Sequence, residues 1–176
     1  MEYTAIRDQL KYINANGITL NLDERMNLDL ALQKLQLDLG FEELLFWGKL
    51  NGNYFTYKSF LGVVNDYYVA VGLNYVGVSD FPTKRFFWSS TATNWEFAEL
   101  PKPMTHLGKS LFERIQTFFT GEFDRVLVDS NGKASTDYGF GADVQLSAEE
   151  LELGGKKGVT ELDRLAYVVS TVEKEC

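Results

Sequence analysis

Histidine and cysteine most often carry nucleophilic, general-base or metal chemistry near neutral pH. This sequence holds one of each, His106 and Cys176. A catalytic nucleophile needs a base and a group that orients the base. His106 stands just ahead of an apolar stripe without such companions, so a surface or helix-start histidine is the plainer reading. Cys176, at the last position, reads as an incidental thiol. One cysteine cannot form a disulfide within the chain, and with a single histidine it cannot build a His/Cys metal cluster. Paired carboxylates can do acid–base work. The pairs here, Glu42-Glu43 and Glu149-Glu150, are sequence neighbours in charged surroundings and read as a solvated face. Asp129, Asn131 and Asp137 faintly resemble a calcium loop, but Lys133 occupies its fifth position, where Asp or Asn is needed. Gly139 and Gly141 lack the third glycine and the strand–helix frame of a dinucleotide fingerprint. There is no phosphate-binding P-loop. The sequence predicts no catalytic, cofactor-binding or metal-binding residue.

What the chain has in excess is rings. Its 176 residues include 13 Phe, 9 Tyr and 3 Trp, enough apolar surface to offset the ordering entropy of a folded domain. Seventeen basic against 25 acidic residues give a formal charge of −8. That balance disfavours nucleic acid, which is bound through clustered Lys and Arg, and disfavours an anionic membrane. The longest uncharged apolar-leaning stretch, Tyr67 to Ser79, is well short of the roughly 20 residues of a spanning helix. No glycosylation sequon and no basic-then-apolar leader occurs, so the expectation is a reduced, soluble, intracellular domain.

The elements follow from periodicity. Tyr3, Ile6, Leu10 and Ile13 predict a helix ended near Gly17. Asn21 and Glu24 make a capping-box spacing ahead of Leu28, Leu32, Leu35 and Leu39, with Gly40 as terminator. Met26, Leu30 and Leu37 widen that helix's apolar surface, so it is expected to be covered on more than one side. Strands are predicted at Leu44–Trp47, over Tyr67–Asn74, at Arg85–Ser89 and at Trp95–Phe97. Four strands with short connections imply an antiparallel meander. Leu107, Leu111, Ile115 and Phe118 predict a further helix ended by Gly121. Asn131-Gly132 suggests a hairpin after Arg125–Val128. Residues 129–158, acidic and rich in Gly, read as a mobile insertion. Thr160 and Asp163 cap a last helix faced by Leu162, Leu165, Ala166, Val169 and Val172. The fold class is therefore α+β: an N-terminal helical region (1–40), a β-meander plus helix (41–121), an acidic, loop-rich insertion (122–158) and a C-terminal helix (159–176), in a single globular domain.

Aromatic rings are enriched at protein–protein contacts because they bury much surface at low entropic cost. Strand alternation alone would make Phe46, Trp47, Tyr67, Phe87 and Trp95 core residues. The excess of rings keeps an interface role open.

Three blocks carry a resemblance. The first is Leu45-Phe46-Trp47-Gly48-Lys49-Leu50, then Leu61-Gly62 and Asn65-Asp66-Tyr67-Tyr68-Val69-Ala70-Val71-Gly72-Leu73. The second runs from Lys84-Arg85-Phe86-Phe87-Trp88 through Asn94-Trp95 to Leu100-Pro101. The third is Thr160 to Val169. In this order they resemble the radial spoke head protein 9 homologue family, related to radial spoke head proteins 4 and 6. Asn51 to Phe60 would be an insertion in that pattern, and the family's C-terminal strands would be missing. The resemblance implies a non-enzymatic structural subunit of the radial spoke head in the axoneme of motile cilia and flagella, contributing to spoke-head assembly and the regulation of beating. It implies a place in the cytoplasmic cytoskeleton and no cofactor. Its partners would be other spoke head proteins, the 4/6-like paralogues, and central-pair projections, with no nucleic acid, membrane or small-molecule substrate. The interface residues it suggests are Phe46, Trp47, Asp66, Tyr67, Tyr68, Trp88, Trp95 and Tyr167. A small α+β domain holding an apolar ligand in an aromatic pocket is the alternative.

Overall fold

Asn21 starts the first described helix, α1 (Leu22–Leu39), by the reciprocal cap its spacing predicts. Its side-chain oxygen accepts from Glu24 N at 2.8 Å, and the Glu24 carboxylate accepts from Asn21 N at 2.7 Å. Such a cap is worth about 1 kcal/mol. Gly40 ends the helix in the left-handed conformation (φ 64°), where a side chain would be strained, and its N–H donates to Gln36 O. The computed structural model describes residues 20–52, 66–75, 77, 81–90, 93–107, 111–115, 119–129 and 158–175. The helix expected over residues 3–13 lies outside them.

Four strands form one antiparallel sheet in chain order: β1 (Glu43–Leu50), β2 (Tyr67–Asn74), β3 (Thr83–Ser90) and β4 (Ala98–Glu99). This is the predicted meander. The helix α1 lays Leu28, Leu32 and Leu35 on one face of it, against Leu44, Phe46, Tyr68, Ala70 and Phe87. Full burial of a leucine contributes about 1.5–3 kcal/mol. Phe41 fills the end of this layer, edge-on to Phe87 at 5.4 Å. Gly72 must lack a side chain here, because a Cβ would stand 2.8 Å from the Phe41 ring. All residues of β2 from Tyr67 to Leu73 are buried, so it is covered on both faces. The expected two-sided cover of α1 is not found: Met26, Leu30 and Leu37 are exposed, and Leu39 is partly so.

Contacts divide the chain into two compact units, Met1–Gly52 with Asn65–Glu99 and Asn53–Val64 with Leu100–Cys176. The second contains β5 (Val126–Val128), paired antiparallel with β6 (Val159–Thr160), and the terminal helix α2 (Glu161–Glu175). Its core joins Leu107, Leu111, Phe112, Leu127, Val128 and Val159. The Asp163 carboxylate accepts from Thr160 N and Oγ1 at 2.9 and 3.1 Å, as the sequence spacing predicts.

Two sequence expectations are corrected. The described residues of the stripe from Leu107 to Phe118 do not form one α-helix. They form short 3-10 turns at Thr105–Leu107 and Phe112–Arg114, and Ile115 is extended (ψ 120°). Leu111 and the adjacent Phe112 are both buried in the core of the second unit, so tertiary packing overrides the period. The fourth strand falls at Ala98–Glu99 rather than Trp95–Phe97, because Asn94 and Trp95 both have positive φ (57° and 65°) and turn the chain. The segment following Val128 that Asn131-Gly132 would turn lies outside the described residues, and β5's described partner is β6.

Candidate functional site

The polar centre of the first unit depends on one extra residue in β1. The pairing Phe46↔Ala70 is followed by Gly48↔Val69 and Lys49↔Tyr68, leaving Trp47 as a β-bulge. Residues directly opposite share a sheet face. Uninterrupted alternation would put Lys49 on the face away from Phe46. The bulge returns it to the face of Phe46 and Tyr68, the one that α1 covers.

There Lys49 Nζ meets two carboxylates, Glu24 Oε1 at 2.7 Å and Asp66 Oδ2 at 3.1 Å. Tyr68 OH donates to the same Glu24 oxygen at 2.7 Å. The other Glu24 oxygen is the one that caps α1. Asp66 Oδ1 accepts from Gly52 N at 2.9 Å. The Lys49, Glu24 and Asp66 side chains retain only 21%, 12% and 17% of their exposure. The ammonium also lies 5.7 Å from the centre of the Tyr68 ring. One cluster thus ties the start of α1 to the end of β1 and the start of β2.

Electrostatics decide what this cluster can do. Burial opposes the Glu24 charge, but hydrogen bonds from Lys49, Tyr68 and Asn21 N outweigh it and hold its pKa below the ordinary carboxylate value. Burial likewise opposes the Lys49 charge, yet Glu24 and Asp66 raise its pKa. Tyr68 is pushed far up, first by burial and then by the Glu24 carboxylate. Each shift fixes the group in its neutral-pH form. A general acid or base works best with a pKa near the operating pH, and the shifts of Glu24, Lys49 and Tyr68 all lead away from it, as suits a clamp.

The sequence-derived interface candidates fall into separate places. Phe46, Tyr67, Tyr68 and Trp88 are buried. Tyr67 and Trp88 meet edge-on at 6.1 Å. Tyr68 meets Trp95 at 4.7 Å, and both belong with Phe46 to the layer under α1. Trp47, the bulge residue, and Trp95 are partly exposed. Asp66 sits in the clamp. Tyr167 belongs to the second unit, where it stacks on Phe112 at 4.8 Å and donates to Glu113 at 3.3 Å. Sequence reasoning missed Glu24 and Lys49 as members of the cluster. The signal for Lys49 was its place directly after the Phe46-Trp47-Gly48 run.

A second missed group is Glu161, fully buried at the first turn of α2. Its carboxylate accepts from Thr120 N at 2.8 Å, Gly121 N at 3.1 Å and Thr120 Oγ1. Nearby in the same unit, the Arg164 guanidinium lies 4.3 Å from the centre of the Phe119 ring. These contacts pin the helix start to the chain before β5. His106 is exposed in its 3-10 turn. Among the described residues no group of three or more His, Cys, Asp or Glu side chains is arranged to hold a metal ion, and no helix is long and apolar enough to cross a membrane.

Beside α1 lies an open groove of about 480 Å³, walled by the helix and by residues 94–97. The turn carrying Trp95 is held by Thr93, whose hydroxyl accepts from Ser90 N at 3.1 Å and donates to Ser90 O at 2.9 Å. Two consecutive left-handed residues that are not glycine cost of order 1–3 kcal/mol each, which the surrounding structure must offset.

No family model matches the chain. Its sequence is similar to that of the radial spoke head protein 9 homolog of Danio rerio, with 26% identity over 178 residues and 99% of this chain covered. The chain spans about half the length of that curated relative, 54%.

Proposed function

We propose that this chain is a non-catalytic structural subunit of the radial spoke head in the axoneme of motile cilia or flagella. The observation that carries this reading is the similarity to a radial spoke head protein across nearly the whole chain. The clamp supports it. Lys49 and Asp66 come from the two parts of the first motif block, and they meet in an ion pair at 3.1 Å. Those motif residues hold the first unit together, as a stiff structural subunit requires. The subunit would contribute to spoke-head assembly and to control of beating by docking 4/6-like paralogues and meeting central-pair projections. In this role Trp47 and Trp95, the partly exposed tryptophans, are the available contacts among the sequence candidates, while the buried rings shape the surface beneath them.

The test is to locate the tagged chain in isolated axonemes and sequence its cross-linked neighbours. Retention in the axonemal fraction with cross-links to spoke head proteins is expected. A chain found in the soluble cytosol and absent from the ciliary skeleton would overturn the proposal. The alternative of an apolar-ligand domain has one observation in its favour, the Trp95 groove, but half of that groove's lining residues are polar or charged. Native mass spectrometry of the purified chain would reveal a bound small molecule if that reading held.

A further inference from the structure

The helix α1 has two apolar faces and the fold uses one. Leu28, Leu32 and Leu35 point into the core. Leu22, Met26, Leu30 and Leu37 remain 63%, 58%, 65% and 84% exposed. At 3.6 residues per turn these four fall within about 80° of arc, opposite the buried three, and run about 22 Å along the helix. Leu30 also forms part of the groove wall, so the stripe continues into the groove beside Trp95 and Phe97. Exposed Gln33 falls in the same arc between Leu30 and Leu37, and the apolar side chains on either side of it make a surface of the kind that marks a contact site. Its rim is acidic. Asp29 and Asp23 flank the stripe on either side, and Asp38 and Glu96 stand in the groove. None of these four carboxylates is ion-paired to a described residue, whereas Lys34 is the one cation of the groove lining.

We infer that the stripe and groove form a docking site for an amphipathic helix of a partner protein whose apolar face is bordered by Lys or Arg. Charge decides among occupants. A second copy would bring its own acidic rim and a charge of −8 against this one, which opposes association. A basic border would instead pair with Asp23, Asp29, Asp38 and Glu96 while its apolar residues cover Leu30 and Trp95. This is helix-in-groove recognition, with Trp95 as the aromatic anchor. The left-handed backbone at Asn94 and Trp95 holds that ring beside the helix at a conformational cost, as ligand clamps do. The inference stands on exposure and charge and does not require the spoke-head reading.

The test uses the full chain and two synthetic 18-residue helical peptides with the same Leu/Ala face, one bordered by Lys and one by Glu, followed by fluorescence anisotropy. The Lys peptide should bind at least about 10-fold more tightly than the Glu peptide, and Leu30→Asp or Trp95→Ala should weaken it by a similar factor. Leu30→Asp makes the protein more acidic, so non-specific attraction would grow, and a loss therefore reports the groove itself. Because Leu30 is exposed, the variant should keep its circular dichroism spectrum, and Leu30→Ser serves as a second variant. Equal binding of both peptides, or Lys-peptide binding undiminished in all three variants, would overturn the inference. So would sedimentation showing a dimer that Leu30→Asp dissociates, which would make a second copy the occupant.

Discussion

Replacing Lys49 with methionine keeps most of the side chain's volume and removes the charge that Glu24 and Asp66 share. The two carboxylates are then left mostly buried without their cation, at 12% and 17% side-chain exposure. Breaking a fully buried pair costs about 3–5 kcal/mol and an exposed one about 0–1 kcal/mol. The clamp lies between these limits, so the expected loss is about 2 kcal/mol. For a chain of this size that lowers the melting temperature by about 4–8 °C. The pH dependence follows from the directions of the shifts. Glu24 has a folded pKa below its unfolded value of 4.5, so its contribution is present above that value and fades as pH falls through the folded pKa. Lys49 has a folded pKa above its unfolded value of 10.5, so its contribution is whole below that value and is lost as pH rises through the folded pKa. The parent chain should therefore hold this stabilisation from about pH 5 to about pH 10, with both limbs flattened in Lys49→Met. The assay is urea unfolding followed by circular dichroism from pH 3 to pH 11, combined with a double-mutant cycle against Glu24→Gln. Coupling of about 1–2 kcal/mol is expected at pH 7. Additive single mutants, with a combined effect equal to their sum, would refute the clamp.

Two more perturbations test packing. Gly72→Ala places a methyl group 2.8 Å from the Phe41 ring and should destabilise by about 1–3 kcal/mol, with Phe41→Leu restoring part of the loss in the double variant; thermal melts check both. Glu161→Gln keeps the shape but puts an amide among Thr120 N, Gly121 N and Thr120 Oγ1, all of which donate to the carboxylate, and should cost about 2–4 kcal/mol. Hydrogen exchange should then rise first at the start of α2, and uniform exchange across both units would contradict that account.

Local signals were legible where one short stretch determines the outcome. Asn21 with Glu24, Gly40, and Thr160 with Asp163 each set a helix end through groups within four residues, side chains in the first and last and backbone at Gly40. Short apolar and aromatic runs bounded by turn residues placed β1, β2 and β3, because those runs pack in place. What was not legible depended on distant partners. The Trp47 bulge is invisible in β1 alone, since it appears only as a register shift against β2. Without it, Lys49 reads as a solvent-side lysine. The stripe from Leu107 to Phe118 has a helical period, yet its described residues form short turns, with both Leu111 and Phe112 drawn into the core. Glu161 looks like an ordinary acid in a first helical turn, and only the fold brings Thr120 and Gly121 to it.

The bulge and the clamp explain each other. A β-bulge disrupts the ladder locally and leaves one residue unpaired, so it needs something in return. Here the return is a cation delivered to the side of the sheet where the cap of α1 presents Glu24. The Glu24 carboxylate then serves three elements at once: Asn21 N at the start of α1, Lys49 on β1 and Tyr68 on β2. A group committed to three donors is poorly placed to accept a substrate proton, and its depressed pKa follows from the same commitment. The polar residues of the first motif block thereby fix where α1 lies on the sheet. They also set the direction of its opposite face, the stripe of exposed Leu22, Met26, Leu30 and Leu37. A loosened clamp should therefore weaken docking on that stripe without touching a residue in it, so Lys49→Met should lower affinity for the Lys-bordered peptide even at temperatures where the variant remains folded.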